Sequence, residues 1–246
     1  MKRSRCNGLL FYAAFVLFLS ACGNDGGDEK SATDTSTNGT TTTEPATPVS
    51  TIVTTPQNMV IITHKVADYV KWIAAYEGHD SARLANGLHN YVIGRGMQDP
   101  DMVMVALKAD DMAKAKAFIQ DPGLKKAMQK GGVTGQPSVT FVNASWQDTA
   151  NIGAVPRSMT TFTIKDWDNW QKNFADGKQE RLDNGITDRV IGHDADDNKK
   201  VVLVTAVMDT AKAFAYYKSD MLKKRREAGG LTSEPKRFLF YVAKRY

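Results

Sequence analysis

The second half of this 246-residue chain lies over the first, without a gap, at an offset of 98 positions. Asp68 meets Asp166, Trp72 meets Trp170, Arg83-Leu84 meets Arg181-Leu182, and Asn86-Gly87 meets Asn184-Gly185. The match continues through Val92-Ile93-Gly94 with Val190-Ile191-Gly192 and Asp111 with Asp209. It runs on through Leu124-Lys125-Lys126 with Leu222-Lys223-Lys224, Gly131-Gly132 with Gly229-Gly230, and Pro137 with Pro235. Roughly two dozen identities in about 77 positions exclude chance, and a period this long marks a duplicated domain rather than a solenoid.

Within each copy the hydrophobic period alternates in one order. Met59 to Val66 is a β-rich run of strand length. Asp68 then stands as an N-cap before Tyr69, Trp72, Ile73 and Tyr76, which recur at helical spacing, and Asn86-Gly87 supplies the stop. Tyr91 to Arg95 and Met102 to Leu107 read as strands joined through Asp99-Pro100-Asp101. Asp111 caps a second helix carrying Ala115, Phe118 and Ile119, and Ser138 to Val142 is the closing strand. The second copy repeats this with a strand at Thr160 to Ile164, the Asp166-capped helix, strands near Arg189 to Gly192 and Val201 to Val207, the Asp209-capped helix, and Arg237 to Val242.

Each copy is therefore βαββαβ, a ferredoxin-like unit whose helices cover one sheet face. The other face also needs cover. Two tandem copies satisfy each other by packing open face to open face, which predicts an α+β fold: a pseudo-dimeric barrel with units at 57–150 and 151–246, monomeric with an internal pseudo-dimer.

The residues ahead of the repeat address location. Lys2, Arg3 and Arg5 precede an apolar stretch, Leu9 to Leu19, too short to span a bilayer, as in a signal peptide. It ends in Leu19-Ser20-Ala21-Cys22, which resembles a bacterial lipobox. That resemblance implies cleavage after residue 21 and acylation of Cys22 by palmitate-type chains, which are the expected route to the membrane. Residues 22–56, rich in Thr and Ser, cannot bury enough surface to offset their ordering entropy and are expected to form a disordered tether. Gly23 after the cysteine resembles outer-membrane sorting, so the expected location is the cell envelope, lipid-anchored at the outer membrane and facing the periplasm.

Processing also settles charge and thiol chemistry. Loss of Lys2, Arg3 and Arg5 leaves 29 of the 32 Lys+Arg against 27 Asp+Glu, too balanced for a nucleic-acid partner. The only two cysteines are Cys6, in the leader, and Cys22, so disulfides, thiol catalysis and cysteine-ligated zinc are not expected. No P-loop, dinucleotide fingerprint, nucleophile elbow or His-Glu-x-x-His run occurs, and no cofactor or metal is expected.

The run His64-Lys65-Val66-Ala67-Asp68-Tyr69-Val70-Lys71-Trp72, followed by His79, Arg83 and Gly87, resembles the dimeric α+β barrel superfamily. That superfamily includes antibiotic-biosynthesis-monooxygenase-like and stress-responsive barrel proteins. The resemblance implies a lumen for small, often aromatic molecules, in a family ranging from cofactor-independent oxygenases to haem-degrading enzymes and proteins without known chemistry. Fold alone does not choose among these.

Positions alike in both copies are read as architecture: aspartate caps, glycine turns, and Trp72 and Trp170 as core. Arg83 and Arg181 sit beside their helices' aromatic stripes and need acceptors, from a salt bridge across the interface or from an anionic ligand group. Positions that differ are the better functional signal. His64 becomes Phe162, Tyr76 becomes Phe174, His79 becomes Gly177 and His89 becomes Thr187, so three of four histidines belong to the first copy. The expected site is therefore in the lumen of the first unit, with His64, Tyr76 and His79 as candidate catalytic groups and Trp72, Arg83 and Arg181 as ligand contacts. The expected function is binding of a small apolar or aromatic molecule. A cofactor-independent monooxygenase and a non-catalytic envelope interaction module are the alternatives. The acidic turn after His193 lacks the glutamate of a calcium loop, and the basic run Lys223 to Arg226 is explained by its place at a helix end.

Overall fold

A computed structural model of the protein describes residues 50–246; the leader, Cys22 and the tether as far as residue 49 lie outside the described residues. The first unit runs β2 (Gln57–Val66), α1 (Tyr69–Gly78), α2 (Asp80–Ala85), β3 (Leu88–Gly96), β4 (Met102–Ala109), α3 (Met112–Ile119), α4 (Pro122–Lys130) and β5 (Val133–Asp148). The second runs β6 (Arg157–Thr163), α5 (Trp167–Asp176), α6 (Lys178–Asp183), β7 (Ile186–Asp194), β8 (Lys200–Val207), α7 (Thr210–Tyr217), α8 (Asp220–Ala228) and β9 (Lys236–Arg245). A two-residue strand, β1 (Ile52–Val53), precedes both.

The strand order is β5-β2-β4-β3 in the first unit and β9-β6-β8-β7 in the second, every neighbour antiparallel. β3 pairs with β9 and β5 pairs with β7, so the two sheets join at both edges into a closed eight-strand barrel. Closure removes the unpaired edges that either sheet would otherwise present. No helix among the described residues is long and apolar enough to cross a membrane.

The alternation of side chains along each strand divides the interior into layers. On β2, Val60, Ile62 and Val66 face the helices and pack with Trp72, Leu88, Ile93 and Phe118. Met59 and Ile61 face the lumen, where they meet Met104, Val142, Val202 and Phe240 from both units. The second unit's helix layer holds Phe162, Ile164, Trp170 and Val201 in one cluster and Ile186, Val207, Ala213 and Tyr216 in another.

The four aspartate caps form as read: Asp68, Asp111, Asp166 and Asp209 each accept from the backbone N–H three residues on, at 2.8–3.0 Å. Gly87 and Gly185 take left-handed φ of 68° and 67°, as the residue after a helix end requires.

Three features differ from the sequence reading. Each expected long helix is two helices: α1 stops at His79 (φ −101°, ψ 16°) before α2, and Pro122 excludes the helical conformation from Asp121 between α3 and α4. The closing strand of the first unit is 16 residues rather than five, because it pairs with β2 and then crosses to β7. Its ladder slips between Thr63↔Ser138 and Lys65↔Thr134, and Pro137 lies in that slip, where its missing N–H costs no ladder bond. Finally, the expected tether does not run unstructured to residue 56. Ile52 and Val53 pair with Asp148 and Gln147, and Thr51 Oγ1 donates to Asp148 Oδ1 at 2.9 Å.

Candidate functional site

α1, α2, α3 and α4 do not lie flush on the first sheet. A cavity of about 70 Å³ is left between them and the strands, lined by Ile62, His64, Trp72, Tyr76, His79 and Arg83 on one side and by Phe118, Leu124 and Met128 on the other. It is on the helix side of the sheet, which corrects the expected lumenal position. His64 is two residues from Ile62 on β2 and shares its face, so the alternation that sends Met59 and Ile61 inward sends His64 to the helices.

His64 is 4% exposed and neither ring nitrogen has a hydrogen-bond partner among the described residues. Its ring leans on Trp72 with centroids 5.4 Å apart at 58°, the arrangement that Phe162 and Trp170 repeat at 5.7 Å and 58°. Burial lowers its pKa to about 4, so at neutral pH the imidazole is uncharged and offers one donor and one acceptor to the cavity. Such a group is a weak base and a good hydrogen-bonding anchor.

His79 occupies the break between α1 and α2, where its Nδ1 is also buried without a partner. Tyr76, one turn earlier, donates through Oη to Asn90 Oδ1 at 2.5 Å; Asn90 Nδ2 donates to Asp80 Oδ1 at 2.6 Å, and Arg83 Nη2 donates to the same oxygen at 3.1 Å. The Arg83 guanidinium also lies 3.8 Å from the centre of the Tyr76 ring. Burial raises the Tyr76 pKa to about 12, so the phenol stays protonated and Tyr76 is a structural donor. Arg83 keeps one buried donor, Nε, without a partner.

Trp72 lines the cavity as the floor of an aromatic stack, 5.2 Å from Tyr76 and 5.8 Å from Tyr69. His89 is elsewhere: its Nε2 lies 2.9 Å from Asp110 Oδ2 on the surface. The structure thus brings His64, Trp72, Tyr76, His79 and Arg83 together and leaves Arg181 in the other unit.

The second unit has a matching cavity of about 90 Å³, with Phe162 and Arg181 among its lining residues. Several of its polar groups bond one another, while the buried Tyr217 hydroxyl, which also lines it, has no partner among the described residues. Arg181 makes a two-point pair with Asp188 at 2.8 and 2.7 Å and donates to the Phe174 carbonyl at 2.6 Å. Glu180 accepts from Tyr216 and Arg225 at 2.6 and 2.8 Å. Both expected interface arginines therefore bond within their own unit. Each nitrogen of Arg181 donates at least once, whereas the buried Nε of Arg83 has no partner among the described residues.

Sequence reasoning missed a third polar group: Arg157, Arg189 and Arg245 line a space inside the barrel. A signal existed in the repeat, because these arginines stand where the first copy has Met59, Tyr91 and Gln147.

No family model and no curated protein matches the chain. Solved structures do. An anthrone oxidase-like protein superposes with a TM-score of 0.55 at 10% identity, over 78% of this chain and 94% of the other. A candidate monooxygenase from Fusobacterium nucleatum gives 0.51 at 12% identity, over 77% and 93%. Another, from Lactobacillus acidophilus, gives 0.50 at 11% identity, over 76% and 95%. The chain shares the fold of these structures, a closed eight-strand α+β barrel, both halves of it being supplied by one polypeptide. At these identities the likeness concerns the fold alone.

Proposed function

We propose that the protein binds a small one-ring aromatic molecule carrying a hydrogen-bonding substituent, in the helix-side cavity of its first unit. One observation carries this reading. An apolar cavity is lined by His64, His79 and Arg83, of which both His64 ring nitrogens, His79 Nδ1 and Arg83 Nε are buried without a partner among the described residues, while at the equivalent positions of the second unit phenylalanine and glycine replace the two histidines and every nitrogen of Arg181 is bonded. Buried polar atoms without partners cost about 1–3 kcal/mol each, a cost that a ligand's polar group would remove. A space of about 70 Å³ suits a single ring, at roughly 10–15 Å³ for each water-sized position.

Phenol is a suitable probe. At a concentration 100 times its dissociation constant it adds about 2.7 kcal/mol of stability, read as a thermal shift. His64→Phe and His79→Gly, which install the second unit's residues, abolish that shift. An undiminished shift in both variants would place the site elsewhere. Oxygen consumption with the bound ligand would move the reading to the monooxygenase alternative, which the names of the structural neighbours favour. A phenol-independent barrel would leave the interaction module.

The same proposal places the barrel in the cell envelope, held by acyl chains on Cys22, because two or more chains give stable membrane attachment. Cys22→Ser releases the protein into the soluble fraction. Retention of that variant on membranes washed with high salt would remove the anchor from the proposal.

A further inference from the structure

The barrel interior is apolar along most of its length. At one place it is not. A space of about 70 Å³ is lined by Met59, Met104, Val142 and Phe240 together with Arg157, Arg189 and Arg245. It contains both members of several repeat-related pairs, Met59 with Arg157, Tyr91 with Arg189 and Val142 with Phe240, so it lies on the pseudo-twofold axis.

Arg157, at the start of β6, is 2% exposed. Its Nη1 donates to the Val155 carbonyl at 2.6 Å and, weakly, to that of Pro156 at 3.5 Å; its Nη2 has no partner among the described residues. Arg189 is also buried, but it is paired: Nη1 donates to Asp148 Oδ2 at 2.7 Å and Nη2 to the Ala150 carbonyl. Asp148 has little left to offer Arg157, since its other oxygen already accepts from Thr51 Oγ1 at 2.9 Å and from the Ala150 N–H at 3.0 Å. Two buried guanidiniums therefore share one carboxylate, with the exposed Arg245 at the rim, and Arg157 is left as a buried positive charge without a counter-ion among the described residues.

A buried cation with a free donor is expensive to keep unless an anion completes it. Burial, Arg189 and Arg245 press the Arg157 pKa down to about 10, which leaves it charged at neutral pH. The groups around it decide the anion's character. The free donor and net charge call for an oxyanion; the methionines, Val142 and Phe240 call for an apolar body. Size settles the rest: about 70 Å³ holds roughly five to seven non-hydrogen atoms, at about 10–15 Å³ for each water-sized position.

We infer that the barrel lumen is a binding site for a short-chain monocarboxylate of about four carbons, its carboxylate on Arg157 Nη2 and its alkyl chain against Met104, Val142 and Phe240. This site is separate from the helix-side cavity of the first unit and stands on different residues.

Titration calorimetry of the full chain with sodium butyrate, against sodium chloride and sodium phosphate at matched ionic strength, tests it. Butyrate binds saturably at one site per chain, and neither inorganic anion competes with it at equal concentration. Arg157→Met, which installs the residue of the first copy, weakens butyrate binding at least ten-fold and raises the melting temperature of the free protein, since it removes the unpaired cation. Should that variant not fold, Arg245→Gln serves, because Arg245 is exposed and Gln147 is its counterpart; it weakens butyrate a few-fold. Butyrate binding survives His64→Phe, which separates this site from the phenol site. Absence of saturable butyrate binding, undiminished affinity in the arginine variants, or phosphate competing as well as butyrate would each overturn the inference.

Discussion

His64 and Phe162 occupy equivalent places on equivalent strands and lean on equivalent tryptophans at the same 58° angle, so His64→Phe is a substitution that the molecule already accommodates once. Its consequence for stability depends on pH. The unfolded histidine titrates near 6.5 and the folded one at about 4, so the native state holds the neutral form and the unfolded state binds the extra proton first. His64 thus leaves stability intact above about pH 6.5 and withdraws it as the pH falls towards 4, by an amount on the order of 3 kcal/mol. Urea unfolding at several pH values is expected to show the His64→Phe variant gaining on the wild type across that window; a pH-independent difference would mean that the ring is solvated. The neighbouring tryptophans behave otherwise. Trp72→Ala and Trp170→Ala each cost about 3–5 kcal/mol at any pH, because each empties the centre of a helix–sheet layer. Tyr76→Phe costs about 1–3 kcal/mol, since it leaves the Asn90 oxygen it bonds without that donor.

At the scale of strands and helices, local signals in the sequence reached as far as local physics does. The aspartate caps, the glycines after α2 and α6 and the βαββαβ order could be read because each depends on neighbours within a turn or two. Barrel closure could be read because a duplicated open face has one economical cover. The breaks at His79 and Asp121 were less visible: a Gly-His pair interrupts the apolar spacing too briefly to end a helix on pattern alone. The face occupied by His64 was available from alternation with Ile62, yet which face forms the lumen depends on strand pairing far along the chain. Arg157, Arg189 and Arg245 come from three strands of the second unit, and only the sheet assembles them. The joint between β3 and β9 carries its own test. A side chain on Gly94 would overlap the Phe240 ring, so Gly94→Ala is expected to lower stability by about 1–3 kcal/mol. Combination with Phe240→Leu recovers part of that loss in denaturant unfolding; strict additivity of the two would show that the clash is relieved elsewhere.

As a whole, the molecule has one interior shared between two halves. Met59, Ile61, Met104 and Val142 of the first are covered by Val202 and Phe240 of the second, and each such side chain contributes about 1.5–3 kcal/mol when fully buried. Residues 57–150 expressed alone therefore expose an apolar sheet face and two open edges, and are expected to self-associate, as sedimentation would show; a well-folded monomer of that fragment would contradict the shared core. Joining the halves in one polypeptide also changes what mutation can do. In a barrel made from two identical chains every substitution is made twice, and anything on the axis confronts its own copy, so a lone arginine there becomes two. Here a change is inherited by one half only. Methionine can stay at position 59 while arginine is fixed at 157, and histidine at 64 while phenylalanine is fixed at 162, so one half can drift towards new chemistry while its sibling keeps the scaffold.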